Sequence, residues 1–428
     1  MTPQVKQQIE QIRRGEMPEG YKKTKVGVVP NDWEENRLSH YLKVNNDKNV
    51  DLKYGKEDVF SISGELGIVN QIELLGRSYA GASVAPYGIV YPNNIVYTKS
   101  PLKANPYGII KTNKTKKTGI VSTLYAIFHC KNNVCPNFVQ SYFESDQNLN
   151  KYLYPIVNIG AKHDMKISDE NSLKGWVVFP SLAEQEKIAE ILSAQDKLIA
   201  LKEKLLEEKK SQKKHIVHEI LSQNIKLQKQ DGSKYSQWDT NNIGTYLTSR
   251  NTKQIPTEEA PLMAFVADVG VVPKGERYDR SFLVKSDEKE YKRTELNDFI
   301  YSSNNLDVGS IGLNNYGSAV ISVVYEIFSV NSNAIPIVIS EIIQMKSNIN
   351  KILRYRQGAL YGQYRIFAED FLSVNIDVPS LEEQQAIAKI MLSFEKEIEL
   401  LQQELEQHKQ KKKALMQLLL TGIVRVNR

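Results

Sequence analysis

Apolar residues toward the end of the chain recur at alternating steps of four and three: Ile387, Met391, Phe394, Ile398, Leu401, Leu405, Leu415 and Leu419, with His408 and Lys412 filling the gap. That spacing is the seam of a coiled coil. The equivalent positions earlier in the chain are Ile188, Leu192, Gln195, Ile199, Lys202, Leu206, Lys209, Lys213, Ile216 and Ile220. Each seam predicts a helix of about 40 residues, roughly 60 Å long. Pro180 and Pro379 stand just before the two starts, and Ser181 and Ser380 are N-cap residues. Glu184 and Glu383, three residues on, complete a capping box in both. Residues 26–179 and 235–378 read differently. Short apolar runs at 88–91, 95–97, 120–122, 298–301 and 319–325 are separated by Pro, Asn and Gly and predict strands. A polar helix is expected over 3–14, ended by Gly15 and Pro18, and a short helix near 135–148.

The two helices open on one repeated pattern. Pro180-Ser181-Leu182-Ala183-Glu184-Gln185-Glu186-Lys187-Ile188-Ala189-Glu190-Ile191 returns from Pro379 to Ile390 with eight of twelve positions identical. Trp33 and the residues after it match those after Trp238, and the segment 121–128 matches 321–328. Between these landmarks the halves diverge. A repeat this long contains a whole folding unit, so one scaffold with two different fillings is expected. A helix with an apolar seam needs a partner. The nearest is the other copy in the same chain, paired antiparallel about a pseudo-twofold axis. The competing account packs each helix only on its own domain.

A length of 428 residues permits two or three domains. A net charge of +6 is compatible with nucleic acid without requiring it. No apolar run is long enough for a membrane span, and residues 1–25 lack the apolar core of a secretory signal. Two cysteines suit a reducing, cytoplasmic setting.

Catalytic signatures are incomplete. Asn105-Pro106-Tyr107 echoes an amino-methyltransferase motif but lacks a proline and a preceding glycine-rich cofactor loop. His129, Cys130 and Cys135 lack a fourth metal ligand. Glu290-Tyr291-Lys292 has nuclease-like spacing without the preceding Pro-Asp strand. There is no phosphate-binding P-loop. These patterns describe a binding protein.

A variable α/β region, then Pro-Ser-Leu-x-Glu-Gln opening a long helix, the whole repeated once and followed by Leu420-Thr421-Gly422-Ile423-Val424-Arg425-Val426, resembles the specificity subunit of type I restriction–modification systems. The resemblance implies an α+β architecture: two similar mixed α/β target recognition domains joined by two long helices in an antiparallel coiled coil. It divides the chain into an N-terminal extension (1–25), recognition domain 1 (26–180), spacer helix 1 (181–225), recognition domain 2 (226–379), spacer helix 2 (380–420) and a tail (421–428). It implies a non-catalytic subunit that reads a bipartite, asymmetric site on double-stranded DNA. Two modification (methyltransferase) subunits and the restriction (endonuclease/translocase) subunits are the implied partners. S-adenosylmethionine, ATP and Mg are expected on those partners, with no cofactor on this chain. The competing functions are a coiled-coil adaptor with two ligand-binding heads that does not bind DNA, and an enzyme acting through His129 and Cys130.

Candidate DNA-binding residues lie in the divergent segments. They are Arg77, Tyr79, Lys111, Lys114, Lys116 and Lys117 in the first half. In the second they are Arg277, Tyr278, Arg280, Lys292, Arg293, Asn304, Asn305, Arg354, Arg356, Tyr364 and Arg365. Arg grips guanine and Asn adenine, while Lys more often holds phosphate. For any one of them, plain surface charge is the competing role. Trp33 and Trp238 are expected as core anchors. The basic clusters 209–214 and 408–413 are expected either to be solvated helix faces, with approaches such as Glu190 to Lys413, or to touch the DNA backbone. Leu201 and Leu400 occupy equivalent positions off the seam, and Ile191, Leu198 and Leu205 form a second column. Leu201 and Leu400 are therefore expected to contact helices of two modification subunits.

Overall fold

The structure is a computed structural model that describes residues 3–102, 105–157, 165, 167–266, 269–273, 289–304, 306, 311–358 and 364–426. The chain divides into two compact units, residues 1–204 with 402–428, and residues 205–401.

In the first unit the strands Leu42–Val44, Tyr125–Cys130, Ile95–Thr98 and Ile109–Thr112 form, in that order, an antiparallel four-stranded sheet. Ile95, Tyr97 and Phe128 face one core with the helices Pro136–Glu144 and Asp146–Leu153. Val96 and Ile127 face a second core with Phe60, Ile68, Val90 and Val121. Both faces are covered, which is why the strand reads as a continuous apolar run rather than an alternation. The covering strands are the pairs Gly88–Val90 with Gly119–Val121 and Phe60–Ser63 with Gly67–Asn70.

The second unit repeats the plan. Leu247–Ser249, Tyr325–Val330, Phe299–Ser302 and Ile311–Leu313 form its four-stranded sheet in the matching order. Phe299, Tyr301 and Phe328 face one core, and Ile300 and Ile327 the other. The apolar run at 319–325 is two strands, not one. Ala319–Ile321 pairs with Tyr291–Thr294, whereas Tyr325–Val330 pairs with the four-stranded sheet. The chain turns between them, with the Tyr325 N–H donating to the Ser322 carbonyl at 3.2 Å and exposed Val323 and Val324 at the tip.

The long helices run Leu182–Leu221 and Leu381–Leu420. Each unit contains the start of one and the end of the other. Ile188 and Leu192 join Leu419 and Leu420 in the first unit's core, and Ile387 and Met391 join Val217 and Ile220 in the second's. The helices are thus antiparallel within each unit, and their seam merges with a domain core at the end of each helix pair. Ile191 packs on the first core as well.

Away from the cores the seam keeps buried Leu206 and Leu405 but is interrupted by polar pairs. Gln195 approaches His408 at 3.1 Å, and Lys202 pairs with Glu404 at 2.8 Å. Lys209 pairs with Glu397 and Lys213 with Glu395, both at 2.9 Å, while Lys409 meets Glu203 at 2.7 Å. Lys412 bridges Asp196 and Glu144 at 2.6 and 2.7 Å. Glu190 pairs with Lys187 of its own helix rather than reaching Lys413. Much of the repeated basic clusters is therefore occupied by ion pairs between helices.

The repeated Glu-Gln pair has a physical purpose. Gln185 is buried, accepts the Cys135 N–H at 3.0 Å and donates to the Pro180 carbonyl at 3.0 Å. Gln384 does the same with Ile335, at 2.8 Å, and Pro379, at 3.0 Å. Each glutamine satisfies a backbone N–H at the start of the helix at 136 or 336, one that no helical bond can reach. The expected capping box is only half made. Ser380 accepts the Glu383 N–H at 3.3 Å, but the Glu383 carboxylate takes the Trp238 indole N–H at 3.0 Å. Glu184 instead binds Arg425. These helix starts are buried against the domain, where the carboxylates meet side-chain donors.

The segment after the second long helix returns to the first unit. Tyr21 donates its hydroxyl to the Gly422 carbonyl at 3.0 Å, and Arg425 also binds Asp32 at 2.8 Å. Gly422 has φ of 71°, and a Cβ there would lie 2.5 Å from Pro30. Only glycine fits that close approach. Among the described residues, no helix is long and apolar enough to cross a membrane.

Candidate nucleic-acid interface

The two central strands, Ile95–Thr98 and Phe299–Ser302, have two ends, and the candidate residues divide between them. At the starting end, Asn93 and Asn297 both adopt positive φ. Beside them Asn113 and Asn314 are buried and brace a loop in the same way. Asn113 donates to the Lys117 carbonyl at 2.9 Å and accepts the Thr115 N–H at 3.1 Å. Asn314 donates to the Gly317 carbonyl at 2.7 Å and accepts the Tyr316 N–H at 2.9 Å. The first loop presents exposed Lys114, Lys116 and Lys117, and the second half-exposed Tyr316. The identical asparagine after each edge strand was the signal that could have paired these loops from sequence.

The lysine loop sits among carboxylates. Lys117 lies 4.0 Å from Glu73, and Glu57 and Asp58 line the same cavity. Lys111 and Lys114 line a second cavity with Glu65, Glu144 and Asp196. Lys111 is buried, and that burial lowers the pKa of its ammonium, with Glu144 opposing. It lies on the buried edge strand Ile109–Thr112.

The finishing end carries different chemistry. In the second unit Tyr301 donates its hydroxyl to the Ile366 carbonyl at 3.2 Å, and Gln357 pairs with Arg365 through backbone bonds of 2.8 and 3.0 Å. This brings together Arg354, Arg356, Tyr364 and Arg365 with exposed Tyr355 and Phe367. The Arg356 guanidinium lies 5.6 Å from the Tyr364 ring centre, and Arg365 lies 4.8 Å from that of Phe367. Arginine held against an aromatic face keeps its hydrogen-bonding edge outward at reduced entropic cost. Asn304 is exposed close by, accepting the Ser303 hydroxyl at 3.3 Å.

Lys292 is placed differently from the arginines. It is buried, donating to Glu326 at 2.7 Å and to the Tyr325 carbonyl at 2.9 Å, so its charge is matched internally. Glu326 also meets Arg365 at 3.3 Å. Arg293 is held by Glu295 at 2.5 Å and Gln254 at 3.1 Å. Arg77 stacks on exposed Tyr79 at 4.6 Å in the first unit. Arg277, Tyr278, Arg280 and Asn305 lie outside the described residues. Trp33 is fully buried and Trp238 packs on the second core. Leu201 and Leu400 are 65% and 56% exposed.

The chemical alternatives fare poorly. Burial pushes the Cys130 thiol up to about 12, the opposite of an activated nucleophile. His129 approaches Asn94 at 3.0 Å and stacks on Tyr91. Among the described residues no group of three or more His, Cys, Asp or Glu side chains is placed to hold a metal.

Residues 235–410 match the family model of the type I restriction modification DNA specificity domain. A protein of Methanocaldococcus jannaschii assigned as the type I restriction enzyme MjaX specificity subunit is 24% identical over 95% of this chain and 97% of its own. A solved structure concerned with complex assembly and conformational transition of the type I R-M system shares the fold. It matches with TM-score 0.56 and 13% identity over 92% of this chain and 99% of that one. The second half thus matches the DNA specificity domain of type I restriction–modification systems, the first half is built on the same plan, and the Methanocaldococcus jannaschii relative, itself assigned as a specificity subunit, matches end to end.

Proposed function

We propose that the chain is a non-catalytic specificity subunit of a type I restriction–modification system and reads a bipartite, asymmetric duplex site, one half with each unit. The observation that carries the reading is one sheet order repeated in both units with different side chains at matching surface positions. The arginine and aromatic cluster at 354–367 supplies both things duplex recognition needs, cationic contacts for phosphate and edge-on donors for bases. The two modification subunits dock on the long helices, with Leu201 and Leu400 in the contact. Restriction subunits join that assembly. S-adenosylmethionine, ATP and Mg belong to those companions, and this chain contributes binding and orientation only.

The test is single-molecule methylation mapping of the source genome with and without this gene. The expected result is a two-part methylated-adenine motif that disappears on deletion. Replacing residues 235–378 by the matching domain of a relative changes one half of that motif. An unaltered methylome after deletion contradicts the reading.

A further inference from the structure

The two units carry different chemistry at the same end of one scaffold. The helices Asp146–Leu153 and Lys346–Leu353 match, and the next residue is Tyr154 in one and Arg354 in the other. Tyr97 and Tyr301 are fully buried at matching positions in the central strands, and both project hydroxyls to this end. Tyr301 reaches the Ile366 carbonyl, beside Arg365, and Tyr97 reaches the Tyr107 carbonyl at 2.8 Å. The Tyr107 ring packs on the first core and meets the Tyr154 ring edge-on, with centres 5.7 Å apart. Tyr154 itself is 70% exposed. It is a flat amphipathic side chain presented to solvent on a fixed support.

The end-to-end match between units makes this placement informative. If each unit reads one half-site with the same surface, the lysine loop at 114–118 and the arginine cluster at 354–367 cannot both be that surface. They sit at opposite ends of matching strands. Glu57, Asp58, Glu65 and Glu73 line the cavities beside these lysines and oppose an approaching phosphate backbone. At the arginine end Glu326 is matched by buried Lys292 and Arg365, and Asp370 accepts from Gln357, beside Arg354 and Arg356. The balance of charge therefore favours the arginine end.

We propose that Tyr154, positioned by Tyr107, is a specificity-determining contact of the first unit with its DNA half-site, at the place where the second unit uses Arg354 and its neighbours. The inference rests on the reading that each unit recognises one half of the site. A phenol offers a stacking face and a donor–acceptor tip without a charge. Its contribution releases no counterions and adds nothing to the salt dependence of binding.

The experiment is methylation mapping of the complete modification complex carrying Tyr154→Ala, with binding measured to a duplex bearing the wild-type motif. The expected result is relaxed bases in one half of the motif, the other half unchanged. Affinity falls about tenfold at an unaltered slope against salt. Tyr107→Ala relaxes the same half more weakly. A wild-type two-part motif that survives Tyr154→Ala with full affinity overturns this inference alone. Reduced methylation of an unaltered motif also overturns it, since that marks a purely structural role. A wild-type complex with no two-part motif overturns the underlying reading and this inference together.

Discussion

The Arg425 guanidinium donates to both carboxylate oxygens of Glu184 at 2.7 Å each. Glu184 is buried at the start of the first long helix, and Arg425 follows the end of the second. Arg425→Ala leaves that carboxylate without its cation. A fully buried broken pair costs about 3–5 kcal/mol. The arginine side chain retains 35% exposure, so solvent screening reduces the expected loss to about 2 kcal/mol. Denaturant unfolding monitored in the first unit checks this, and an unchanged midpoint would falsify the clamp.

Arginine and lysine groups separate in salt titrations. Changing Arg354, Arg356 and Arg365 together to Gln weakens binding of the assembled complex to all duplexes. It lowers the slope of log K against log salt by about 0.9 for each phosphate no longer neutralised. Changing Lys114, Lys116 and Lys117 to Gln has the smaller effect. The reverse ranking would move the DNA to the other end of the sheets.

Removing one heptad from both long helices, residues 202–208 with 401–407, takes out a matched stretch of about 10 Å. The half-site bases stay the same and their separation changes, as methylation mapping reads directly. A folded, active variant that keeps the original separation would show that helix length does not set it.

Leu201→Glu with Leu400→Glu leaves the fold intact, since both side chains are mostly exposed. If each leucine is buried on docking, the double variant weakens the association by roughly 1.5–3 kcal/mol per residue. Co-purification of the modification subunits then falls. Normal recovery at normal affinity places the docking surface elsewhere.

Burial raises the pKa of the Glu341 carboxyl above its ordinary value, and Glu395 adds to the shift while Lys213 and Lys214 oppose it. The sign follows from the neutral form being favoured in the folded chain. The stabilisation is complete below the unfolded pKa and is lost as pH rises through the folded pKa. Glu341→Gln removes that loss. The difference in unfolding midpoint between variant and wild type therefore grows in the variant's favour on going from acid to neutral pH. A difference independent of pH contradicts the assignment.

Periodicity made the long helices and the repeat legible, because both are local patterns. Partners far apart in sequence were not. Glu184 and Arg425 are 241 residues apart, so the glutamate looked like a capping residue. Lys111 and Lys292 looked like surface cations, but both are buried, Lys292 against Glu326. The run at 319–325 is uniformly β-forming, and only the different partners of its two ends reveal the turn. At the candidate interface, composition found the arginine cluster. Tyr154 was missed because an isolated tyrosine carries no signal until the matching helix shows which residue it replaces.

The first unit is assembled from residues 1–204 and 402–428, whereas the second is the continuous stretch 205–401. A chain leaves the ribosome at about 5–20 residues per second. The second unit, though translated later, is the first to have its whole sequence available. Ile188 and Leu192 must wait for Leu419, and Glu184 for Arg425. During synthesis the first unit's core lacks Leu419 and Leu420 until the end of the second long helix has emerged, so its closing contacts are the last in the protein to form.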